Sequence, residues 1–379
     1  MLLQPQHLQQ SERHADHARH LLLRSTSPYA WGFAEIEIDS AALALGKLAL
    51  TRAVGVFGDG TPFDMPAVDP LPEALDIPEG LRDEAIVLAL PLRRAGAREA
   101  DAEGYEDLVR HRVQEAEVPD SNTAGERSAM LQLGALHTRL MRANDATDAW
   151  TTLRAARVAE RRADNQVLLD RNHVPPLLDV AAHQLPRGWL DELLGLLRQR
   201  GDELASSLTA GGTGGVAEIA DFLMLQTVNR NEAVFAHLAK SATLHPQHFF
   251  EHALSLAGDL VTFRDARRTT RFGPYVHDDL AASFRPVMDD LRRSFSVVIE
   301  RAAIRIELHE RKNNVHVAVV KDTDLQRKAT FVLAATAQMP GESLRARFPT
   351  QVTIGPVERI RDLVTLALPG VALTAMPVA

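Results

Sequence analysis

An α+β chain of more than one domain, β-rich, then helical, then β-rich, is what the sequence predicts, and three observations carry the prediction. A hydrophobic period of two runs from GFAEIEID at 32–39 to WTTLRAARVAERR at 150–162. A helical period replaces it after VPPLL at 174–178, and period two returns from Ile304. Length agrees, because hydrophobic cores stop growing well before 379 residues.

The elements follow in order. Between Gln4 and Arg24, Leu8, Ala15, Ala18, Leu21 and Leu22 recur at helical spacing, and Ser27-Pro28 ends that first helix. In GFAEIEID, Phe33, Glu35 and Glu37 alternate against Ala34, Ile36 and Ile38, as in a strand with one wet face. Further strands are predicted at 47–57, 85–94, 107–118, 131–141 and 150–162, with Asp59-Gly60 as a turn. Short strands divided by Gly, Pro, Asp and Asn clusters read as a β-sandwich or barrel, and the Pro-rich 63–78 stretch reads as a connection rather than a strand. The predicted first domain is therefore 1–172, an N-terminal β-sandwich with a leading helix.

VPPLL marks the boundary, since neither proline fits inside a helix. Amphipathic helices are then predicted at 190–208, 216–240, 245–263 and 277–302, the last with a kink at Pro286, giving a helical bundle over 173–302. From 303 to 379 the patterns IRIELHERK, VHVAVVKD, KATFVLAATA and QVTIGPVERI predict strands, with Asn313-Asn314 as a hairpin turn.

Composition excludes several classes. A net charge of −8 and a pI near 6.0 argue against a nucleic-acid partner, which needs a clustered cationic face. The longest apolar run, AIVLALPL at 85–92, is the length of a buried strand, so no direct membrane insertion is expected. With no cysteine, thiol catalysis and Cys zinc sites are excluded, and a cytoplasmic location is expected.

No motif supplies a defensible catalytic site: GxSxG is absent, and no paired carboxylates stand in an identifiable setting. The Gly211–Gly215 loop precedes a helix, where backbone amides favour anions, but it lacks a following Lys-Ser/Thr and a preceding strand. His248 and His252 could share a helical face near Glu251, although the HExxH order is missing and His245 before Pro246 reads as a helix start. His7, His14, His17 and His20 make a stripe suited to a protein contact at least as well as to a metal. Arg264, Arg267, Arg268 and Arg271 precede Asp278 and Asp279 and read as solvated or salt-bridged, with anion binding the sharper alternative. A ligand- or metal-dependent enzyme built on the glycine loop and nearby histidines is thus the competing reading, while neither a cofactor nor a metal is predicted.

Several blocks resemble one known family, the type VI secretion baseplate subunit TssK. They are LLQPQHLQQSERH, SPYAWGFAEIEID, LALPLRR, HVPPLLDVAA, GGVAEIADFLMLQTVNRNEAVFAHLA, HPQHFFEHALSLAGDLVTF, PYVHDDLAASFRPVMDDLRRSFS and RFPTQVTIGPVERIRDLVTLALPGVAL, in order along nearly the whole chain. The resemblance implies a β shoulder akin to phage receptor-binding proteins, a helical neck, a C-terminal head and assembly as a homotrimer. It also implies a structural adaptor rather than an enzyme. The shoulder would meet the wedge subunits TssF and TssG, and the head the inner-membrane complex of TssL and TssM. Family chains begin before the Gln-Pro-Gln-His motif and continue past Ala379, so the head at 303–379 is expected to be incomplete.

On this reading the wedge contact is placed on Leu3, Gln4, Pro5, Gln6, His7, Leu8, Gln9 and Gln10. The trimer contact is placed on the neck helices, at Leu223, Phe235, Phe249 and Leu256, because helices with apolar residues on more than one face have neighbours in which to bury them.

Overall fold

The computed structural model describes residues 3–94, 96–101, 108–120, 122, 128–209, 216–264, 267–268, 271–301, 306–311, 315–320, 331–333, 335 and 341–374. Two compact units emerge, 1–300 and 301–379.

The first unit opens with helix α1 (Pro5–Thr26), followed by β1 (Gly32–Ile38), the short α2 (Ser40–Ala44) and β2 (Lys47–Leu48). β3 (Leu50–Val56) and β4 (Pro62–Met65) complete an antiparallel sheet of order β1-β3-β4, while β2 pairs with β5 (Leu75–Asp76). β4 takes Phe63–Met65 from the stretch predicted to be connection only. The remainder of that stretch is pinned by the buried Asp69, whose carboxylate accepts from the backbone N–H groups of Asp64 (3.4 Å) and Leu136 (3.2 Å).

A second sheet has the order β10-β6-β11-β12, from β6 (Arg82–Pro91), β10 (Arg139–Arg142), β11 (Trp150–Arg161) and β12 (Val167–Leu169). β6 is central, and Ile86 to Leu90 are buried without alternation, as the continuous apolar run AIVLAL requires of a strand covered on both faces. Between these strands, β7 (Ala100–Asp101), β8 (His111–Pro119) and β9 (Ser128–Leu136) form a separate sheet of order β7-β8-β9.

β1 departs from the predicted alternation at one point. Phe33 is fully buried although Glu35 and Glu37, of the same parity, are exposed. A register irregularity between Phe33 and Glu35 in the pairing with β3 puts one extra residue there and turns Phe33 to the core. Gly32 makes the approach possible. Its φ is +126°, and a Cβ there would lie 2.7 Å from the Pro176 carbonyl oxygen.

That contact is why VPPLL is not a loose linker. Phe33 N–H donates to Pro176 O (2.9 Å) and Leu178 N–H donates to Phe33 O (2.8 Å), and Val174 and Leu177 are buried. Helices α3 (Gln184–Thr209), α4 (Val216–Leu238), α5 (Pro246–Leu260) and α6 (Leu280–Arg301) follow, with Pro286 inside α6. A single apolar cluster runs from Phe33, Phe57 and Leu88 of the sheets through Leu193 and Phe235 to Phe284 and Phe295 of the helices.

In the second unit β13 (His309–Arg311) and β14 (Val315–Val317) pair antiparallel, with Arg311 opposite Val315. The predicted turn at Asn313-Asn314 and most of KATFVLAATA lie outside the described residues. QVTIGPVERI is not a strand: Gln351 ends helix α7 (Gly341–Gln351), and helix α8 (Ile360–Thr365) begins at its last residue. Ile354 accepts one backbone bond from Val371 N–H (2.8 Å), too little to make the ladder its β-branched pattern suggested.

Candidate partner-binding surfaces

The Gln-Pro-Gln-His motif is a helix-start device. Pro5 occupies the first turn, where its missing N–H costs nothing, and His7 Nδ1 accepts from the Gln4 backbone N–H at 3.1 Å. The same chemistry opens α5: Pro246 sits in the first turn and His245 Nδ1 accepts from Gln247 N–H at 3.1 Å.

What α1 does with its faces is unusual. Its polar side is turned to its own chain: Arg13 pairs with Glu99 (2.7 Å), Asp16 with Arg93 (3.2 Å), and His20 packs on Gly60. Burial opposes ionisation of Asp16, but hydrogen bonds from Arg19 and Arg93 outweigh it and hold the carboxyl below its usual range. On the opposite side, Leu8, Ala15 and Leu22 repeat every seventh residue; Leu8 and Leu22 are 62% and 66% exposed. No residue of α1 is fully buried.

The histidine stripe is therefore divided. His7 caps, His20 faces the body, and His14 and His17 are exposed. Among the described residues no cluster of His, Asp and Glu could hold a metal. His248 and His252 touch edge to face at 4.6 Å. The Gly211–Gly215 loop lies outside the described residues. Arg264 pairs not with Asp278 or Asp279 but with the buried Asp290 of α6 (2.8 Å), while Arg267, Arg268 and Arg271 are exposed.

The residues predicted for a trimer contact separate into two groups. Phe235, Phe249 and Leu256 are fully buried within their own chain, with the Phe249 ring 4.9 Å from Phe284 and 6.2 Å from Phe235. A side chain without free surface offers nothing to a neighbour, so these three are core residues. Leu223 is 48% exposed and is joined by Ile219 and Phe222, still more exposed, on the same stretch of α4. Helical spacing marked both faces of α4 as apolar without telling which one faced inward.

A polar cluster missed in the sequence ties the 29–31 segment to the helices. His277 Nε2 lies 2.7 Å from Trp31 O and can only donate to it; its Nδ1 therefore accepts the Tyr275 hydroxyl at 2.8 Å. His245 uses Nε2 in the same way toward Tyr29 O (3.1 Å) and stacks on His277 with centroids 5.3 Å apart. Both rings are thereby held neutral. Burial pushes His277 down to about 4, outweighing the Trp31 carbonyl, and pushes the Tyr275 hydroxyl up.

The comparisons with known proteins bear on these surfaces. Residues 7–379 match the model of the bacterial type VI secretion family of EvfL, ImpJ and VasE. The type VI secretion baseplate component TssK1 of Pseudomonas aeruginosa is 46% identical over 382 residues, covering 100% of this chain and 86% of the relative. The chain belongs to the TssK family. A crystal structure of TssK superposes with a TM-score of 0.76 at 39% identity, over 100% of this chain and 86% of that one. A chain from the TssK-TssF-TssG baseplate subcomplex, solved by cryo-electron microscopy, gives 0.69 at 27% identity over 78% of this chain and 96% of its own. The mixed α and β structure is thus TssK-like, and the baseplate of the type VI secretion system is the setting in which the family's surfaces act. No described helix is long and apolar enough to cross a membrane.

Proposed function

We propose that this TssK-family chain is an adaptor that works through surfaces rather than chemistry. Its shoulder (1–172), a β-sandwich of the phage receptor-binding type, docks on TssF and TssG. Its neck (173–302) gathers copies into a trimer, and its head (303–379) reaches the inner-membrane TssL and TssM from the cytoplasmic side. The observation that carries the reading is α1, fastened by its charged side with its Leu8 to Leu22 stripe turned outward. An amphipathic helix buries its apolar stripe where it can, and here the described residues of its own chain do not supply the cover. The solved TssK-TssF-TssG subcomplex shows that a relative assembles with TssF and TssG, which supports a wedge contact along Leu3 to Gln10 and onward to Leu22. Ile219, Phe222 and Leu223 support a self-contact of the neck.

The test is capture of purified TssF-TssG by the full chain. Leu8→Asp adds a charge to an exposed position, so the melting temperature is expected to stay within about 1 °C of wild type for a change inside ±0.5 kcal/mol. Capture is expected to fall at least tenfold. Undiminished capture by a folded Leu8→Asp, Leu22→Asp double variant refutes the α1 contact.

A further inference from the structure

Four arginines stand within eight residues between α5 and α6, in a chain whose net charge is −8. One of them is structural. Arg264 pairs with the buried Asp290 at 2.8 Å and fixes the start of the connection to α6, with Arg293 on the same carboxylate at 3.3 Å. The end of the connection is fixed as well. Phe272 and Tyr275 pack against the apolar cluster, and the Tyr275 ring lies 5.5 Å from Phe250 and 5.0 Å from Tyr29.

The other three serve no such purpose. Arg267, Arg268 and Arg271 are exposed, and none pairs with a carboxylate among the described residues. Of the two acids downstream, Asp278 pairs with none of them, and Asp279 is taken up as a cap of α6, its carboxylate accepting from Ala282 N–H at 2.9 Å. Arg267 also sits where a side chain is disfavoured: its φ is +49°, while its N–H closes a turn on Arg264 O at 3.2 Å. The turn suits glycine, and the sequence places a cation there.

From Arg267 to Arg271 the chain spans at most about 14 Å, four steps of ~3.6 Å. That is little more than one Debye length at about 0.1 M salt, so the three guanidinium charges repel one another. An opposite charge brought from outside relieves all three. Number and shape decide which anion fits. Basic segments that hold a lipid surface carry about four to eight Lys and Arg, and proteins that grip a nucleic-acid backbone neutralise about six to ten phosphates. Three are too few for either. A free phosphate needs donors converging from the walls of a pocket, whereas these side chains stand out in water. An extended acidic peptide fits on both counts. Its alternate residues face one side about 7 Å apart, so three carboxylates cover about 14 Å, and each can take a guanidinium in bidentate fashion.

We propose that Arg267, Arg268 and Arg271 form a docking point for an acidic segment of another protein, bound extended with Asp or Glu at alternate positions. The test titrates the full-length chain into a fluorescein-labelled peptide of repeated Glu-Ser and reads anisotropy at about 50 mM salt, where screening is weak. Saturable binding that weakens as salt rises is expected. It is expected to fall at least tenfold in the triple variant Arg267→Gln, Arg268→Gln, Arg271→Gln, with the melting temperature unchanged, because the replaced groups have no ion pair to lose. A second triple variant, Arg82→Gln, Arg171→Gln, Arg359→Gln, removes the same charge from exposed positions elsewhere and is expected to bind like wild type. Equal loss in the two variants, or no saturable binding, overturns the inference. Vesicles of phosphatidylglycerol and phosphatidylcholine are tested in parallel. Tighter binding to them, lost in the first variant alone, overturns the inference and gives the loop to a lipid surface. A lower solution mass of the first variant than of wild type also overturns it and gives the loop to a second copy of this chain.

Discussion

Replacing Phe249 by alanine separates a core role from a contact role at a position where the two predict opposite readouts. The ring is fully buried, edge to face with Phe235 at 6.2 Å and tilted against Phe284 at 4.9 Å. An aromatic side chain buries about 150–250 Å², worth roughly 4–6 kcal/mol at ~25 cal/mol per Å², of which alanine keeps a minor part. Phe→Ala substitutions in cores cost about 3–5 kcal/mol, and two ring neighbours place this one near 4 kcal/mol. That is a large share of the ~5–15 kcal/mol by which a domain is stable. The assay is urea unfolding followed by tryptophan fluorescence, repeated at several protein concentrations because the proposed self-association would add a concentration-dependent part. The urea midpoint is expected to fall steeply while folded protein at low urea keeps its solution mass. Leu223→Asp is expected to do the reverse: a change within about 0.5 kcal/mol and a lower mass. A Phe249→Ala variant with an unchanged midpoint and a reduced mass would falsify the assignment of α5 to the core.

Two further outcomes follow from buried polar groups. His277 is held near 4 in the folded state against about 6.5 unfolded, so stability is complete above pH 6.5 and is lost as pH falls from 6.5 toward 4. The upper bound on that loss is about 3 kcal/mol, from 1.36 kcal/mol per pH unit; His277→Gln is expected to flatten the slope measured by thermal melts, and an unaltered slope would assign the acid sensitivity elsewhere. Arg110→Ala removes the partner of Asp59 and of the Pro91 carbonyl and is expected to cost about 3–5 kcal/mol, with hydrogen exchange accelerated across β8 and β9. Exchange left unchanged there would mean that the β8–β9 pair is anchored by something other than this guanidinium.

Elements were more legible than orientations. Period alone placed α1, β1 and the four helices, because each alternation reports one buried face over many residues. It failed at Phe33, where one extra residue reverses parity, and bulges leave no mark in a hydrophobic pattern. It failed at Phe235, Phe249 and Leu256, since the apolar residues of a helix are the same whether they meet their own core or a neighbour. Ile219, Phe222 and Leu223 became distinguishable only when the opposite face of α4 was filled by Met224, Val228 and Phe235. The Gln-Pro-Gln-His motif was legible as family likeness, but its local work as a cap was not, because capping by histidine depends on a ring orientation. The links from His245 and His277 to Tyr29 and Trp31 span more than two hundred residues and had no local signal.

The single core shared by sheets and helices also governs how inherited damage will present. With Phe33, Leu193 and Phe284 in one cluster, a lesion in α5 or α6 weakens the seat of α1 without touching it. A genetic screen for alleles that fail to build the secretion machine should therefore return two kinds. Alleles in the helical interior are temperature-sensitive and suppressed by chaperone overproduction. Where α1 makes the proposed wedge contact, alleles on its outward leucines are expected to be insensitive to both and to be restored by compensating changes in another gene.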